Sequence, residues 1–501
     1  MNKYIIKAAL CSMLAVPVLS SCEFDQYPEG SLPTEKSWET VNDATNYNNG
    51  LLAALRSVAS STSCTIVPEV QADLFNATTY NGNPPYPTMH SWLFTSSSGD
   101  GIWSGGYSLI SNANNVINNI DKIQVADGSE DQALLQTYKG VAYFARAYAY
   151  TQIASYYCKN YDPATASTTL GLPIVTDVDV SNKPSRSSLA DTYQFIKDDI
   201  AKAKECFTNH DETDYTAPNY NVTRALEARV SLFTQDYDNA ITCAKELIDK
   251  YPLITNSSDF ANMWTNDDGS EIIYEPQQTA DERIDTYGDL IHQVQVGDEV
   301  KYTASYIPSQ TLIDLYGKGD YRADTYFAQV GVYTGQQEDA NGYVLSKFPG
   351  NPALKKGTGI SEFYNMTKAF RVAEMYLIAA EAQYRKDGTG ASYLNTLRTA
   401  RGASKLTNTS GADLTGDALF SEIKNEWARE MCGEGMRLLC LKRWNEGFTR
   451  MTPQSLTEGV IYLLNNVTTL KVNADNMRWV WEIPSNDLVT NTNLERNWPT
   501  E

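Results

Sequence analysis

The stretch that decides the fold is Val222-Thr-Arg-Ala-Leu-Glu-Ala-Arg-Val-Ser-Leu-Phe233, followed after a short turn by Tyr237-Asp-Asn-Ala-Ile-Thr-Cys-Ala-Lys-Glu-Leu-Ile-Asp-Lys250 and Pro252. Both runs place apolar residues at i, i+3 and i+4, the signature of one buried helix face. Ala228, Tyr237, Ala240, Ala244 and Pro252 follow the tetratricopeptide order: a small residue in the first helix, an aromatic opening the second, Ala-x-x-x-small, and a closing proline. Outward from this pair the same period recurs over Val41–Val58, Tyr107–Ile123, Glu130–Tyr157, Ser188–Phe207, Lys368–Lys386, Ala391–Arg401, Leu419–Cys432 and Glu434–Asn445. A mostly α chain of degenerate helix pairs is expected, because Ala373-x-x-x-Leu377-x-x-Ala380 facing Tyr393-x-x-x-Leu397-x-x-Ala400 repeats the small-residue contacts without the final proline.

Two long non-periodic stretches, Ser60–Gly106 and Asn256–Thr358, interrupt the helices and are rich in Asn, Gly, Ser, Pro, Tyr and Trp. Loops this long are functional or disordered, and the aromatic content argues against disorder. The 501 residues carry 40 basic against 61 acidic side chains, a net charge of −21, which repels nucleic acid. Only His90, His210 and His292 are available as imidazoles, and none has a His or Cys at metal-ligand spacing. No C-x-x-C occurs, so the scattered cysteines read as buried free thiols.

The first residues, with Lys3, Lys7 and the apolar run Ala8–Leu19, read as a secretory signal over 1–21. Leu19-Ser20-Ser21-Cys22 has the form of a bacterial lipobox, which makes Cys22 the acylated first residue of the mature chain. No other stretch is expected to supply the roughly 20 apolar residues of a membrane helix, so the lipid anchor is the expected membrane contact.

Cys22-Glu-Phe-Asp25-Gln-Tyr-Pro28, Trp38, Trp103-x-x-x-Tyr107, Gly140-Val-Ala-Tyr-Phe-Ala-Arg146, Arg371-Val-Ala-Glu374-Met-Tyr376, Glu426-x-x-Arg429-Glu430-x-x-x-Glu434-Gly-x-Arg437 and Lys442-Arg443-Trp444 occur in that order. In this ordered set, spanning nearly the whole chain, the sequence resembles the SusD/RagB family of nutrient-binding lipoproteins. Val141 and Cys440 depart from the family pattern at structural positions. The resemblance implies a tetratricopeptide-like scaffold with long irregular ligand-binding loops, in one SusD-like domain over 22–501 (an N-terminal part to about 235 and a C-terminal part from about 236). It also implies an outer-membrane, cell-surface protein that captures an oligosaccharide and delivers it to a SusC-type TonB-dependent transporter. Peptide is the alternative ligand within the family.

A sugar binder needs flat rings for the C–H faces and Asp, Asn or Arg for the hydroxyls. Asp73, Asn76, Tyr80, Tyr86 and Trp92 supply both in the first long stretch, with Trp92 as the expected stacking platform, and Tyr287, Tyr302 and Tyr306 are the candidates in the second. Trp103 reads as core. Glu426, Arg429, Glu430, Glu434 and Arg437 read as an ion-pair network. Glu374 and Glu381, seven apart, invite a glycosidase reading, but their face points at a neighbouring helix; no G-x-S-x-G or H-E-x-x-H is present, so an enzyme is not expected. No cofactor is expected either; the segment Trp264–Glu275 mimics a calcium loop but has Trp264 where the first carboxylate belongs.

Overall fold

In the computed structural model the described residues are 37–499, apart from 80–83, 97, 99, 180, 289, 291, 297, 334–337, 358–361, 457–459 and 462–468. Helix α1 (Val41–Ala59) starts on a capping box in which Thr40 and Asp43 exchange side-chain and backbone hydrogen bonds. Helix α2 (Thr62–Gln71) follows after Ser60 and Ser61. The run Val41–Gln71 is, against expectation, long and apolar enough to cross a membrane by length and composition, yet it bends between the two helices and half of its apolar window is buried inside the protein. Leu51, Leu55, Ile66 and Val70 are all core residues.

Helices α3 (Asp100–Asn119), α4 (Glu130–Tyr157) and α5 (Leu189–Cys206) stack side by side. The fully buried Ala142, Ala145, Ala147 and Ala149 on α4 let its neighbours approach closely. Arg146 ties the layer together, donating to both carboxylate oxygens of Asp199 on α5 (2.7 and 2.8 Å) and to Asn114 on α3 (2.7 Å). The quoted pair forms α6 (Tyr220–Phe233) and α7 (Tyr237–Lys250), with Ala228, Ala240 and Ala244 buried as the repeat spacing requires. After α8 (Ser257–Thr265) comes α9 (Val372–Asp387), which packs on α6 and α7, and then α10 (Ala391–Ala400), α11 (Gly416–Glu430) and α12 (Arg437–Trp444).

The two non-periodic stretches are structured. The first contains α2, strand β1 (Phe75–Ala77) and the helical turn Pro87–His90. The second contains α8, β2 (Ile272–Tyr274), β3 (His292–Val296), β4 (Glu299–Thr303), β5 (Tyr306–Pro308), β6 (Phe327–Tyr333) and β7 (Glu338–Leu345). Strands β3-β4-β6-β7 form one sheet in that order, with β4 and β6 parallel. Antiparallel pairing of β1 with β5, Asn76 opposite Ile307, joins the two stretches to each other. Further on, β8 (Phe370–Arg371) pairs with β2, and β9 (Phe448–Thr449) with β10 (Lys471–Val472).

Candidate ligand-binding site

Asp73, Asn76, Tyr86 and Trp92 of the first long stretch meet Tyr306 of the second around the β1–β5 pair. They form a knot in which all but the half-buried Tyr86 are buried. Asp73 gives both carboxylate oxygens to Arg437 (2.7 and 2.8 Å), which pins the start of the loop to α12. Asn76 lies within β1 and donates to the Met451 carbonyl (3.4 Å). The Tyr306 hydroxyl donates to the Pro85 carbonyl, and its ring lies 5.1 Å from His90. Between them, His90 Nδ1 donates to the Val70 carbonyl (2.9 Å), leaving its other nitrogen to the Arg450 guanidinium. Burial, with the nearby Arg450 charge, holds His90 well below the usual imidazole pKa, so it is neutral here. Arg450 also donates to the carbonyls of His90 (2.8 Å) and Gln71 (3.3 Å). Burial pushes its pKa down to about 9.

Trp92 is not a stacking platform. Only 3% of it is exposed, its indole N–H donates to the Gln71 carbonyl (2.8 Å), and its ring meets Trp479, Phe448 and Phe94 edge-on at 4.7, 5.7 and 6.3 Å. Strand β9 and the 477–479 turn supply the covering rings, and both lie hundreds of residues from Trp92. Tyr287 is equally buried, stacked face to face on Phe348 at 3.6 Å, so it too offers no face to a ligand. Tyr306, fully buried, is a structural ring, and Asp73 and Asn76 are likewise committed to protein partners. Tyr86 and Tyr302 are half-buried. Tyr86 has the left-handed φ of 57° and caps the helical turn Pro87–His90, while Tyr302 sits on β4 opposite Val332. Tyr80 and Cys22 lie outside the described residues. Sequence reasoning missed Gln71, Arg450 and Trp479, which have no local pattern; Arg437 was visible in its motif, but not its partner.

The charged clusters are internal. Glu374 is held bidentately by Arg229 (2.7 and 2.8 Å), and Glu381 by Arg443 (3.1 and 2.6 Å) with Trp444 Nε1 (2.9 Å), which leaves neither carboxylate free for acid–base work. In the calcium-like segment Trp264 is a core residue, and Lys368 Nζ stands 2.9 Å from both Asp267 and Glu275. An ammonium therefore sits between these two carboxylates. Among the described residues no group of three or more His, Cys, Asp or Glu side chains is arranged to hold an ion.

No curated protein matches the chain. Solved structures match over nearly all of it. A SusD superfamily protein from Bacteroides thetaiotaomicron superposes with a TM-score of 0.74 at 23% identity, covering 92% of this chain and 100% of the other. A SusD-like carbohydrate binding protein from Bacteroides vulgatus gives 0.72 at 21% identity, covering 93% and 99%. At these identities the likeness establishes the helix-pair fold. A family model described as starch-binding associating with outer membrane matches residues 32–232. Since the SusD family model itself matches residues 208–499, more than half of the chain, the chain belongs to the SusD family.

Proposed function

We propose that this protein is a glycan-binding lipoprotein of the outer membrane, tethered through Cys22, which captures an oligosaccharide and passes it to a SusC-type TonB-dependent transporter. The match of residues 32–232 to a starch-binding, outer-membrane family carries the reading. The carbohydrate-binding relative in Bacteroides vulgatus supports it. A tethered binder does not move its ligand across a membrane by itself, so transfer to a channel completes the role. Capture without cleavage accords with the arginine-locked Glu374 and Glu381. With Trp92, Tyr287 and Tyr306 committed to the interior, ligand stacking falls to Tyr86, Tyr302 and Tyr80.

The test is calorimetry against a glycan panel with a parallel turnover assay. Binding without product release is expected, and Tyr86→Ala should weaken it fivefold to a hundredfold, since one stacking ring contributes about 1–3 kcal/mol by analogy with base stacking. Binding of peptides alone, or turnover, would overturn the reading. Cys22→Ala should move the protein from the membrane to the soluble fraction, and native membranes should yield it together with an outer-membrane barrel.

A further inference from the structure

Lys368, two residues before β8, is a buried amine that takes no part in the loop knot. Its Nζ lies 2.9 Å from Asp267 Oδ1, just past α8, and 2.9 Å from Glu275 Oε2, just past β2, the strand that pairs with β8. At most 1% of each of the three side chains is exposed. The buried Trp264 ring stands 4.9 Å from the amine. An amine and two carboxyls held in contact inside an apolar shell are reactants at very high effective concentration.

The two carboxyls differ. Asp267 takes the left-handed φ of 53°, and its Oδ2 accepts from Asn351 Nδ2 (2.8 Å) and the Met366 N–H (3.0 Å). Its Oδ1 accepts from Lys368 and from Asn365 Nδ2 (3.1 Å). Two fixed donors on Oδ2 are what a tetrahedral oxyanion at Cγ needs. Glu275 Oε2, by contrast, has no aligned hydrogen-bond partner, although Lys368 Nζ is 2.9 Å away. Burial pushes the Glu275 carboxyl up to about 8, with Lys368 opposing the rise and Asp267 adding to it. A carboxyl that takes and gives a proton near neutral pH suits proton transfer between neighbours. Burial opposes the charge on Lys368, but Glu275 and Asp267 outweigh it and raise its pKa. The ion pair is therefore the resting state, and the amine becomes a nucleophile only by passing a proton to Glu275.

We propose that Lys368 and Asp267 become joined by an intramolecular amide bond, with Glu275 as the proton carrier. Glu275 takes a proton from the ammonium, and the freed amine attacks Asp267 Cγ. The C–N bond forms, negative charge gathers on Oδ2 against Asn351 and the Met366 N–H, and Glu275 delivers protons from the nitrogen to Oδ1. The Cγ–Oδ1 bond then breaks and one water leaves. Ammonium and carboxylate give amide and water, Glu275 ends as it began, and no oxidant or co-reactant is consumed. The bond closes a covalent ring around β2 to β7, which ties the base of the irregular stretch to the start of α9. It is independent of glycan capture.

Mass spectrometry of the whole soluble chain, unfolded in denaturant and then digested with trypsin, tests it. The expected result is a mass one water below that of the polypeptide, no cleavage after Lys368, and a branched peptide joining the Asp267 and Lys368 segments. Glu275→Gln, which keeps the Lys368–Asp267 pair, should regain the full mass and give separate peptides. If that variant does not fold, the parent chain decides by itself. Cleavage after Lys368 and no branched peptide in the parent overturn the bond. Loss of ammonia in place of water, or a branch on Glu275, overturns its assignment to Asp267. A Glu275→Gln chain linked as fully as the parent overturns the role of Glu275.

Discussion

Trp92 is enclosed by Phe94, Phe448 and Trp479 and has its N–H tied to Gln71, so removing it leaves a void under the loop. Trp92→Ala should cost about 3–5 kcal/mol in denaturant unfolding, the range for large aromatic truncations in a core; a variant of unchanged stability with lost ligand binding would restore it to a surface role. Glu69 is the other telling residue. It is fully buried on α2 beneath the Gly433–Gly435 turn, where Gly435 takes a φ of 80° and a Cβ would stand 2.4 Å from the Cys64 carbonyl. Burial lifts its carboxyl from 4.5 to about 7, against backbone N–H groups of Arg437, Gly433 and Gly435 that favour the ionised form. Because the folded value lies above the unfolded one, stability is full below about pH 4.5 and declines as pH rises toward 7. Glu69→Gln should therefore stabilise the protein at pH 8 by on the order of 1–3 kcal/mol, and much less at pH 5. Equal effects at both pH values would mean that Glu69 is ionised in the fold.

At the scale of elements, the ends of α10 and α11 are joined to the irregular region by buried ion pairs. Glu430 accepts from Arg322 (2.8 Å), Arg401 (2.8 Å) and Arg371, Arg401 also grips Glu271 (2.6 and 2.7 Å), and Arg322 reaches Glu426 (2.6 Å). Arg322, Arg371, Arg401, Glu426 and Glu430 have no exposed surface. Burial alone would raise Glu426, but Arg322, Arg429 and Arg398 outweigh it and hold it at about 2; Glu430 is held well below 4.5 against burial by Arg401, Arg371 and Arg322. Folded values below the unfolded ones mean stability present above about pH 4.5 and lost as pH falls toward 2. Glu430→Gln should cost about 3–5 kcal/mol at pH 7, since it strands buried guanidinium groups, and it should flatten the acid limb of the stability curve; an unchanged acid limb would place the acid sensitivity elsewhere. The helices themselves were legible, Glu130–Tyr157 and Tyr237–Lys250 to the residue. The network was legible only where it is local, as in Glu426 with Arg429. Arg322, Arg371, Arg401 and Glu271 come from separate segments, and Arg437 goes to Asp73. No spacing rule reaches across such distances.

Across the whole molecule one hydrophobic cluster runs from Trp38 to Ile483. Trp481 packs on Tyr156 and Tyr157 (4.9 and 6.0 Å), Lys442 Nζ binds the Ser155 and Cys158 carbonyls at the end of α4, and Arg186 reaches Asn497 (2.8 Å). A fragment ending at residue 235 loses these partners. It should keep helical far-ultraviolet dichroism but lack a cooperative melt, whereas the whole chain should unfold in one transition; cooperative folding of the fragment would refute this coupling. The sequence by itself determined the helix pairs, the family and the irregular stretches, because helical periodicity and repeat spacing are written between near neighbours. Only the tertiary structure decided which rings face outward. The aromatic loop that reads as an open platform is roofed by Phe448 and Trp479 and pinned by Arg437 and Arg450, and whether a ring is covered depends on chain hundreds of residues away.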